Sequence, residues 1–558
     1  MTKVSVVNMI PKYWSDEQNQ DAEPGLSVNP ANPDEIVATA FTWDNPAGSS
    51  ALSPAMLGAW APVYLSTDEG KTWSLQFILP SGVGAIFPTF DVTVRFSGNK
   101  NNLYAGLISA VSSQIVITRT PHPTVHMNTL TTIPGDQPFI EAATHGGKDK
   151  VFVGINAFGG ALVNQSQDAN AGPPPSGFAP VSIDSRNHSG GPGVRTAIHR
   201  DGTVYIAFFS QNAGAGAGWD VVVVKDTNWG NSLPNYQSLV DSGDLKQGVR
   251  VATGINPLGF HWENPNFGND RHGFDMAIAV DPHKPKRLYI VYSDGFSTSD
   301  NTLHLRQSVD GGITWQPDVR TIVRAKNPGI AVNESGDVGF LYQQLIGPVA
   351  GPLNWMTVFE QTKDNFASFD SQILANVPSS VPVPATVMAT YIGDYAKLQA
   401  HGENFYGIFS ANNTPDLSHF PSGVHYQRNA NFTTKILLAN DDITPVPSSI
   451  DPFFFIVKEH KEHKELKEER HEEHQKFESL TDTGKIASLI FDHFGDFEGF
   501  VLETRSGKKE FLGCEMELKA LAERAWRERL RIIVKTDLLD PHRILAIILQ
   551  HPPDPFGI

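Results

Sequence analysis

The sequence has almost no cysteine, no long apolar run and no excess of positive charge. Cys514 is the only cysteine in 558 residues, so no disulfide can form within one chain. Runs of about 18 apolar residues are absent, and the sequence therefore predicts no transmembrane segment. The formal net charge is −17, which argues against a nucleic-acid partner because phosphate binding requires a positive surface.

The start of the sequence also lacks the basic region and the apolar stretch of a signal peptide. A chain that is synthesised from this methionine is therefore expected in the cytoplasm. A chain from which a leader was removed would instead be exported, and the sequence leaves the location open between these two cases.

Apolar strand pairs recur along most of the chain. Each pair consists of an apolar segment, a turn rich in Gly, Asn or Lys, and a second apolar segment, which is the pattern of a β-hairpin. A repeat of about 60 residues with four strands per unit is typical of propeller blades. We therefore predict an all-β fold, a seven-bladed β-propeller with six blades as the alternative, from hairpins that begin near Leu26, Asp91, Gln137, Arg195, Asp275, Asn327 and Tyr391.

Composition divides the chain into four parts. Residues 1–20 are expected to form an N-terminal extension, and residues 21–445 the propeller. After residue 445 an apolar start leads into a dense run of Glu and Lys three or four apart, without Gly or Pro, which predicts a charged helical linker over 446–481. Residues 482–558 combine strand-like segments with one amphipathic segment, EMELKALAERAWRERL, and predict a small α+β barrel-like domain.

Two segments, STDEGKTW and SVDGGITW, share the pattern Ser-x-Asp-x-Gly-x-Thr-Trp. The Asp carboxylate can accept hydrogen bonds from the N–H groups of its own turn. Gly permits the positive φ that the turn needs, and Trp buries a large apolar ring between sheets. A structural role is therefore expected for Ser66, Asp68, Gly70, Thr72, Trp73, Ser308, Asp310, Gly312, Thr314 and Trp315.

The two full motifs resemble the Asp boxes, or BNR repeats, of sialidase-like β-propellers, and the likeness extends over about residues 20–435. The phrases PGDQPFIEA and YIGDYAKLQA are similar to bacterial members of that group. The resemblance implies that the Asp boxes lie on peripheral hairpins, away from the functional face. They therefore identify a fold rather than an activity. The C-terminal residues 482–558 carry no such resemblance.

The resemblance does not extend to the catalytic residues of true sialidases. Those enzymes use three arginines, a Tyr–Glu pair and an acid/base Asp, and they carry an Arg-Ile-Pro motif near the N-terminus. This chain has Met9, Ile10 and Pro11 in that place, so the arginine is missing. We therefore expect sialidase-like architecture without sialidase activity.

In a propeller of this type, the residues that open each repeat line the mouth of the central channel, and most of them here carry carboxylates. Crowded carboxylates raise one another's pKa or recruit a cation, and oxygen-rich rings suit Ca²⁺ or Mg²⁺. The alternative is that each carboxylate caps its own turn and that no cofactor is required. The opening residues are Glu23, Asp91, Asp136, Arg195, Asp275, Asn327 and Asp394, and the metal candidates among them are Asp136, Asp275 and Asp394.

Two groups of side chains are candidates for catalysis or ligand binding. The catalytic candidates are Asp91, Asp136, Asp275, Asp394, Tyr391, Arg195 and Arg271, with Tyr395 as a second phenol. The loop HWENPNFGNDRH combines an aromatic ring with nearby charges that could hold a sugar, through His261, Trp262, Glu263, Arg271 and His272. The alternative for this loop is that it packs over the channel mouth.

Three functions fit these features. The first is a non-catalytic binding or scaffold module that recognises a glycan or a protein partner through the channel face. The second is a glycoside hydrolase or lyase that uses the channel carboxylates as acid and base. The third is a subunit of a homo-oligomer that assembles through the linker helix or the C-terminal domain.

Overall fold

The computed structural model describes residues 3–41, 61–79, 89–98, 101–109, 112, 114–157, 160–171, 177–186, 193–212, 218–257, 274–295, 300–348, 351–381, 392–459, 480–491, 493, 497–505, 507–512, 516–536 and 544–550. The chain divides into two units, Met1–Glu459 and His460–Ile558. Among the described residues, no helix has the length and apolar character that would let it span a membrane.

The first unit begins with strand β1 (Lys3–Asn8) and a 3-10 turn at Lys12–Trp14. It continues as six four-stranded sheets, each built from consecutive strands of the described chain. In chain order these are β2–β5 (Ala22–Val28, Ile36–Phe41, Ala61–Ser66, Ser74–Leu79), β6–β9 (Thr89–Phe96, Leu103–Ser109, Gln114–Thr120, Asn128–Pro134), β10–β13 (Asp136–His145, Lys148–Ala157, Gly160–Ser166, Ala179–Ser182), β14–β17 (Arg195–Ile198, Val204–Gln211, Trp219–Asp226, Val249–Ile255), β18–β21 (Met276–Val280, Leu288–Asp294, Thr302–Ser308, Arg320–Val323) and β22–β25 (Ala325–Val332, Val338–Ile346, Asn354–Thr362, Asp370–Pro378).

A seventh sheet joins the two ends of this unit. Its strands are β26 (Lys397–His401), β27 (Asn404–Asn412), β32 (Ile450–Lys458), β1 and β28 (His425–Tyr426), in that order. Strand β1 pairs antiparallel with β32, with Val7 opposite Phe454. Between β27 and β32 lie a 3-10 turn at Leu417–His419 and a small sheet of β29 (Ala430–Asn431), β30 (Ile436–Leu438) and β31 (Pro445–Val446).

The first strands of the seven sheets form a ring. Each first strand contacts the first strand of the next sheet, and β26 contacts β2. Such a ring of antiparallel sheets around a channel is the architecture of a β-propeller, as predicted from the repeats. Apolar side chains fill the space between neighbouring sheets. Val63, Leu65 and Phe77 of one sheet, for example, pack with Val94 and Leu103 of the next.

The seventh sheet corrects two boundaries expected from the sequence. Strand β1 lies within residues 1–20, which were assigned to an extension. Strand β32 lies within residues 446–481, which were assigned to the linker. Its run Phe453–Val457 is wholly buried, as expected for a strand covered on both faces. The helix expected in the charged run falls mostly on residues 460–479, outside the described residues.

A buried ionic cluster ties the N-terminal segment to this last sheet. We call it the closure cluster, and it consists of Glu17, Asp21, Arg428 and Asp451. The three acidic residues are 0% exposed, and so is the side chain of Arg428. Arg428 Nη1 lies 2.9 Å from Asp451 Oδ2 and 3.6 Å from Glu17 Oε2. Asn8 Nδ2 of strand β1 donates to Asp451 Oδ2 at 2.7 Å. The cluster therefore links β1, the segment before β2 and β32.

The second unit contains one sheet and one helix among its described residues. The elements are β33 (Leu480–Phe491), β34 (Phe497–Thr504), β35 (Gly507–Leu512), α1 (Met516–Arg527), β36 (Arg531–Thr536) and β37 (Ile544–Gln550). The sheet order is β35-β34-β33-β36-β37. This is the predicted α+β content, but the described strands make a sheet with two edges rather than a barrel. Helix α1 packs on β33 through Ala522 and Ala525, while Leu521 and Trp526 are exposed.

Candidate functional site

The predicted mouth residues of the propeller lie together. The guanidinium of Arg195, at the start of β14, is within electrostatic reach of Asp91, Asp275, Asp394 and Tyr395. These five side chains, which we call the mouth cluster, come from four different sheets or their entry loops. All five residues are between 1% and 6% exposed. Four of the residues that open a repeat therefore lie near one another at one end of the first strands, where they are buried.

The members of the mouth cluster are held by their neighbours. Arg195 Nε donates to the carbonyl of Met276 at 3.2 Å, and its Cζ lies 3.1 Å from the ring centroid of Phe139. Asp275 Oδ1 accepts the N–H of Asn327 at 2.7 Å. Asp136, at the start of β10, accepts the N–H of Gln137 at 2.9 Å. Asp136 thus bonds within its own turn, whereas Asp275 bonds the entry of a different sheet.

Burial and the neighbouring charges shift the pKa values of Arg195 and Tyr395 in the mouth cluster. Burial lowers the pKa of Arg195 to about 9, against the opposing effect of Tyr395 and the three carboxylates, and the guanidinium stays charged at neutral pH. Burial also raises the pKa of the Tyr395 phenol, and Glu23, Asp91 and Asp394 raise it further. The phenol is therefore held neutral, and its oxygen accepts the N–H of Val92 at 3.1 Å.

Backbone strain recurs at this end of the channel. Left-handed φ values occur at or just before the first strands in four non-glycine residues, Glu23 (51°), Gln137 (50°), Phe274 (58°) and Asn327 (55°). The register shifts near three of these points, in the pairs β2–β3, β10–β11 and β22–β23. Each such residue costs about 1–3 kcal/mol and persists only when its surroundings fix it. The channel mouth is therefore one of the strained regions of the first unit, in which left-handed residues also occur elsewhere, such as Glu69 and Asn365.

Accessible charged side chains lie next to the mouth cluster, inside the channel. We call them the channel trio: Arg95 of β6, Glu141 of β10 and Lys397 of β26. Arg95 Nε lies 2.8 Å from Glu141 Oε2, and Lys397 Nζ lies 2.8 Å from Glu141 Oε1. The side chains of Arg95, Lys397 and Glu141 are 28%, 26% and 14% exposed. Burial alone would raise the pKa of Glu141, but Arg95 and Lys397 hold it below its ordinary value.

The channel trio lines a polar cavity of about 270 Å³, together with Thr196 and Gln399. A smaller cavity of about 50 Å³ shares Glu141, Thr196 and Lys397 and reaches Arg195 and Asp394 of the mouth cluster. The accessible space thus passes from the buried mouth charges to the trio. Arg95 and Lys397 together carry more N–H donors than Glu141 can accept, so the trio has donors that a ligand could use.

The channel trio is not among the residues predicted from the sequence. A signal for it is nevertheless present, because each member interrupts the apolar pattern of a first strand, in DVTVRF, PFIEAA and DYAKLQ. A charged residue in such a strand requires a partner or access to water. The prediction concentrated instead on the residues that open each repeat.

Both Asp boxes form hydrogen-bonded turns with the same geometry. In the first, Asp68 Oδ1 accepts the N–H of Thr72 at 2.9 Å, and Asp68 Oδ2 accepts the Thr72 hydroxyl at 2.6 Å. Ser66 Oγ accepts the N–H of Gly70 at 2.8 Å. Trp73 Nε1 donates to the carbonyl of Gly70 at 3.0 Å, and a Cβ on Gly70, whose φ is +84°, would overlap the ring of Phe454.

The second Asp box repeats the bonds of Asp and Ser within 0.1 Å, whereas Trp315 Nε1, unlike Trp73 Nε1, has no hydrogen-bond partner among the described residues. Asp310 accepts the N–H and the hydroxyl of Thr314 at 2.9 and 2.5 Å, and Ser308 Oγ accepts the N–H of Gly312 at 2.9 Å. A third turn, which has Phe369 where the boxes have Trp, makes the equivalent bonds from Asp364 to Ser368 at 2.9 and 2.5 Å. These turns lie between the third and fourth strands of their sheets, away from the channel.

Several predicted site residues lie outside the described residues. They are Tyr391, His261, Trp262, Glu263, Arg271 and His272. Within the part of the chain that the structure describes, no group of three or more His, Cys, Asp or Glu side chains could hold a metal ion. At the mouth, the positive charge near Asp275 and Asp394 comes from Arg195, in the place where the sequence suggested Ca²⁺ or Mg²⁺.

Comparisons with known proteins find similarity in structure but not in sequence. No protein-family model and no curated protein matches the chain. A protein of unknown function from Dyadobacter fermentans DSM 18053 has 11% identity and a TM-score of 0.39. The match covers 82% of this chain and 99% of the Dyadobacter chain. A polysaccharide lyase, a PL25 ulvan lyase, has 10% identity and a TM-score of 0.44, with 71% and 92% covered. The NanB sialidase from Streptococcus pneumoniae has 9% identity and a TM-score of 0.35, and the match covers 79% of this chain and 68% of the sialidase chain.

At these identities the similarity concerns the fold alone. The ring of four-stranded sheets itself defines a β-propeller, which is followed by a second unit that contains one sheet and one helix. The propeller fold agrees with that expected from the Asp boxes.

Proposed function

We propose that the propeller is a non-catalytic module that binds a glycan in its central channel. The observation that carries this proposal is the channel trio. Arg95 and Lys397 flank Glu141 inside a polar cavity, and all three side chains remain partly exposed. Charged groups that are fixed on a rigid scaffold and open to solvent are typical of binding sites.

The size and polarity of the cavity favour a sugar over a protein side chain. Protein interfaces are dominated by aromatic and aliphatic anchors that fill apolar pockets. The cavity here holds about 270 Å³, and the partly exposed charged side chains of Arg95, Glu141 and Lys397 are among the residues that line it. Hydroxyl groups of a sugar can both accept from the two cations and donate to Glu141.

The described carboxylates support binding rather than catalysis. A hydrolase or lyase needs an acid and a base that reach the substrate. Asp91, Asp275 and Asp394 are 1–3% exposed and lie near Arg195. Glu141 is a partly exposed carboxylate of the channel wall, and its lowered pKa makes it a poor proton donor at neutral pH. Asp136 is also partly exposed, and it accepts the N–H of Gln137.

The test compares two arginine variants on a glycan array and by titration calorimetry. Arg95→Gln should lower the affinity for the bound glycan at least tenfold, which corresponds to about 1.4 kcal/mol. The matched control is Arg306→Gln on strand β20. The side chain of Arg306 is 26% exposed, and its Nε lies 2.6 Å from Asp318 Oδ1. The control should keep the affinity of the unmodified chain.

Two outcomes would contradict the proposal. Equal loss of affinity in both variants would mean that the effect does not arise in the channel. Turnover of a glycoside or polysaccharide substrate by the unmodified chain, abolished by Asp394→Asn or Glu141→Gln, would replace the binding module with the hydrolase or lyase expected as the alternative from the sequence.

A further inference from the structure

The channel cavity of about 270 Å³ has a charged side and an aliphatic side. The charged side chains are those of the channel trio, on β6, β10 and β26. Strands β14, β18 and β22, which follow one another in the ring, supply three lining residues each. Eight of these nine residues are Ala, Val or Ile, and the ninth is Thr196. Among the described residues that line the cavity, the charges therefore lie on one side.

The aliphatic side is partly open to the channel. Ile198, Ile278 and Val280 are half-buried, whereas Ile330 and Val332 are 6% and 9% exposed. Ile278 and Val280 also pack against the apolar core between the fourth and fifth sheets, which fixes their positions. The accessible aliphatic surface is therefore small and rigid, and it suits a methyl-sized group better than a long alkyl chain.

The two sides favour different parts of a sugar. On the charged side, Arg95 and Lys397 can donate hydrogen bonds to hydroxyl oxygens, and Glu141 can accept hydrogen bonds from hydroxyl groups. On the aliphatic side, the side chains of Ile278 and Ile330 offer no partner to a hydroxyl, and a hydroxyl that leaves water without a partner is disfavoured. A methyl group in the same place stabilises the complex because it leaves water for an apolar surface.

We propose that the channel selects a 6-deoxyhexose, a sugar that has a methyl group where the parent hexose has its C6 hydroxymethyl group. The ring hydroxyls face the channel trio, and the C6 methyl contacts the aliphatic side. An acetylated sugar also ends in a methyl group, but its carbonyl would lie at the aliphatic side without a side-chain partner from β18 or β22. The inference rests on the proposed function, because it names the class of glycan that the channel binds.

Ile278 is the residue on which this specificity depends most. It lies on β18, the middle strand of the aliphatic side, and it lines both cavities of the channel. One methyl-sized group in an apolar pocket changes the discrimination between two ligands by about 10-fold to 200-fold. Because Ile278 remains partly open to solvent, we expect a preference near the lower limit, about tenfold in favour of the deoxy sugar.

The test measures the ratio of two affinities for the full chain by titration calorimetry. The methyl glycosides of D-fucose and D-galactose form one matched pair, and those of L-rhamnose and L-mannose form another, because each pair differs only at C6. In at least one pair the deoxy sugar should bind about tenfold more tightly. Ile278→Thr, which puts a hydroxyl on the aliphatic side, should remove most of this preference, whereas Ile278→Val should retain it. The matched control, Ile373→Thr on β25, where Ile373 is 37% exposed, should also retain it.

The outcomes separate this inference from the proposed function. If glycans bind but the hydroxylated sugars bind as tightly as the deoxy sugars, the inference is wrong while the binding module stands, and backbone groups of the first strands would then be the partners of the hydroxyl. The same conclusion follows if the glycans bound on the array contain no 6-deoxyhexose. If no glycan binds, the proposed function fails as well. An equal loss of preference in Ile278→Thr and Ile373→Thr would show that the preference does not arise in the channel and would overturn the inference.

Discussion

The closure cluster and the channel trio are built from the same kinds of side chain but have opposite settings. The closure cluster contains three carboxylates and one arginine, with side chains 0% exposed where the ion pairs are formed. The channel trio contains two cations and one carboxylate, with side chains 14–28% exposed. Burial therefore makes the first cluster part of the folded core, whereas the second, which is open to solvent, is the site that we propose for a ligand.

The difference also concerns charge balance. In the closure cluster one guanidinium faces three acids, so burial and mutual repulsion favour protonation of the excess carboxyls. In the channel trio two cations face one acid, so the acid stays ionised. Charged clusters in one ring of sheets can thus respond to pH in opposite directions.

The largest expected effect follows from removing the cation of the closure cluster. Arg428→Met leaves Glu17, Asp21 and Asp451 buried without a positive partner, and removing one member of a buried ion pair costs about 3–5 kcal/mol. The free energy of unfolding should fall by that amount in urea denaturation, or folded protein should not accumulate. Arg306→Met, which breaks a partly exposed pair, should cost less than about 1 kcal/mol. Similar losses in the two variants would erase the distinction between the clusters.

The next effect is the pH dependence of the closure cluster. Burial raises the pKa of Glu17, and Asp21 and Asp451 raise it further against the opposing effect of Arg428. Burial likewise raises the pKa of Asp21. A carboxyl whose pKa is higher in the folded state stabilises fully below its unfolded pKa, about 4.3 for Glu, and loses this contribution as pH rises through the folded pKa.

Glu17→Gln keeps the shape of the protonated acid and removes its titration. In the unmodified chain, Glu17 releases a proton on unfolding at any pH between its unfolded and folded pKa values. The free energy of unfolding therefore falls by up to about 1.4 kcal/mol for each pH unit in that range. The variant should show a smaller decline on the alkaline side, measured by thermal unfolding across pH. An unchanged pH profile would mean that Glu17 is ionised in the folded chain.

The propeller could be predicted from the sequence because its signals are local. The hairpins repeat, and each Asp box is completed within eight residues, as in STDEGKTW. The closing strand β1 could not be predicted in this way, because its partner β32 is more than 440 residues away in sequence. The two boundaries that failed, at residues 20 and 445, are the two ends brought together by this long-range pairing.

The candidate site could be predicted only in part. Of the residues that open each repeat, Arg195 lies near Asp91, Asp275 and Asp394. Their burial depends on neighbouring sheets and cannot be deduced from one strand. Glu141 forms ion pairs with Arg95 and Lys397, which come from two other sheets. Sequence spacing therefore does not reveal the trio.

The smallest expected effect completes the comparison with a matched Glu→Gln change in the channel trio. Arg95 and Lys397 hold the pKa of Glu141 below its ordinary value, so its contribution to stability is present above about pH 4.3 and is lost as pH falls through the folded pKa. Because the side chains are partly exposed, Glu141→Gln should cost less than about 1 kcal/mol at neutral pH. Thermal unfolding across pH should show the difference shrinking in acid, opposite in direction to Glu17→Gln. A larger loss at neutral pH, or one that persists in acid, would make the trio a structural element like the closure cluster.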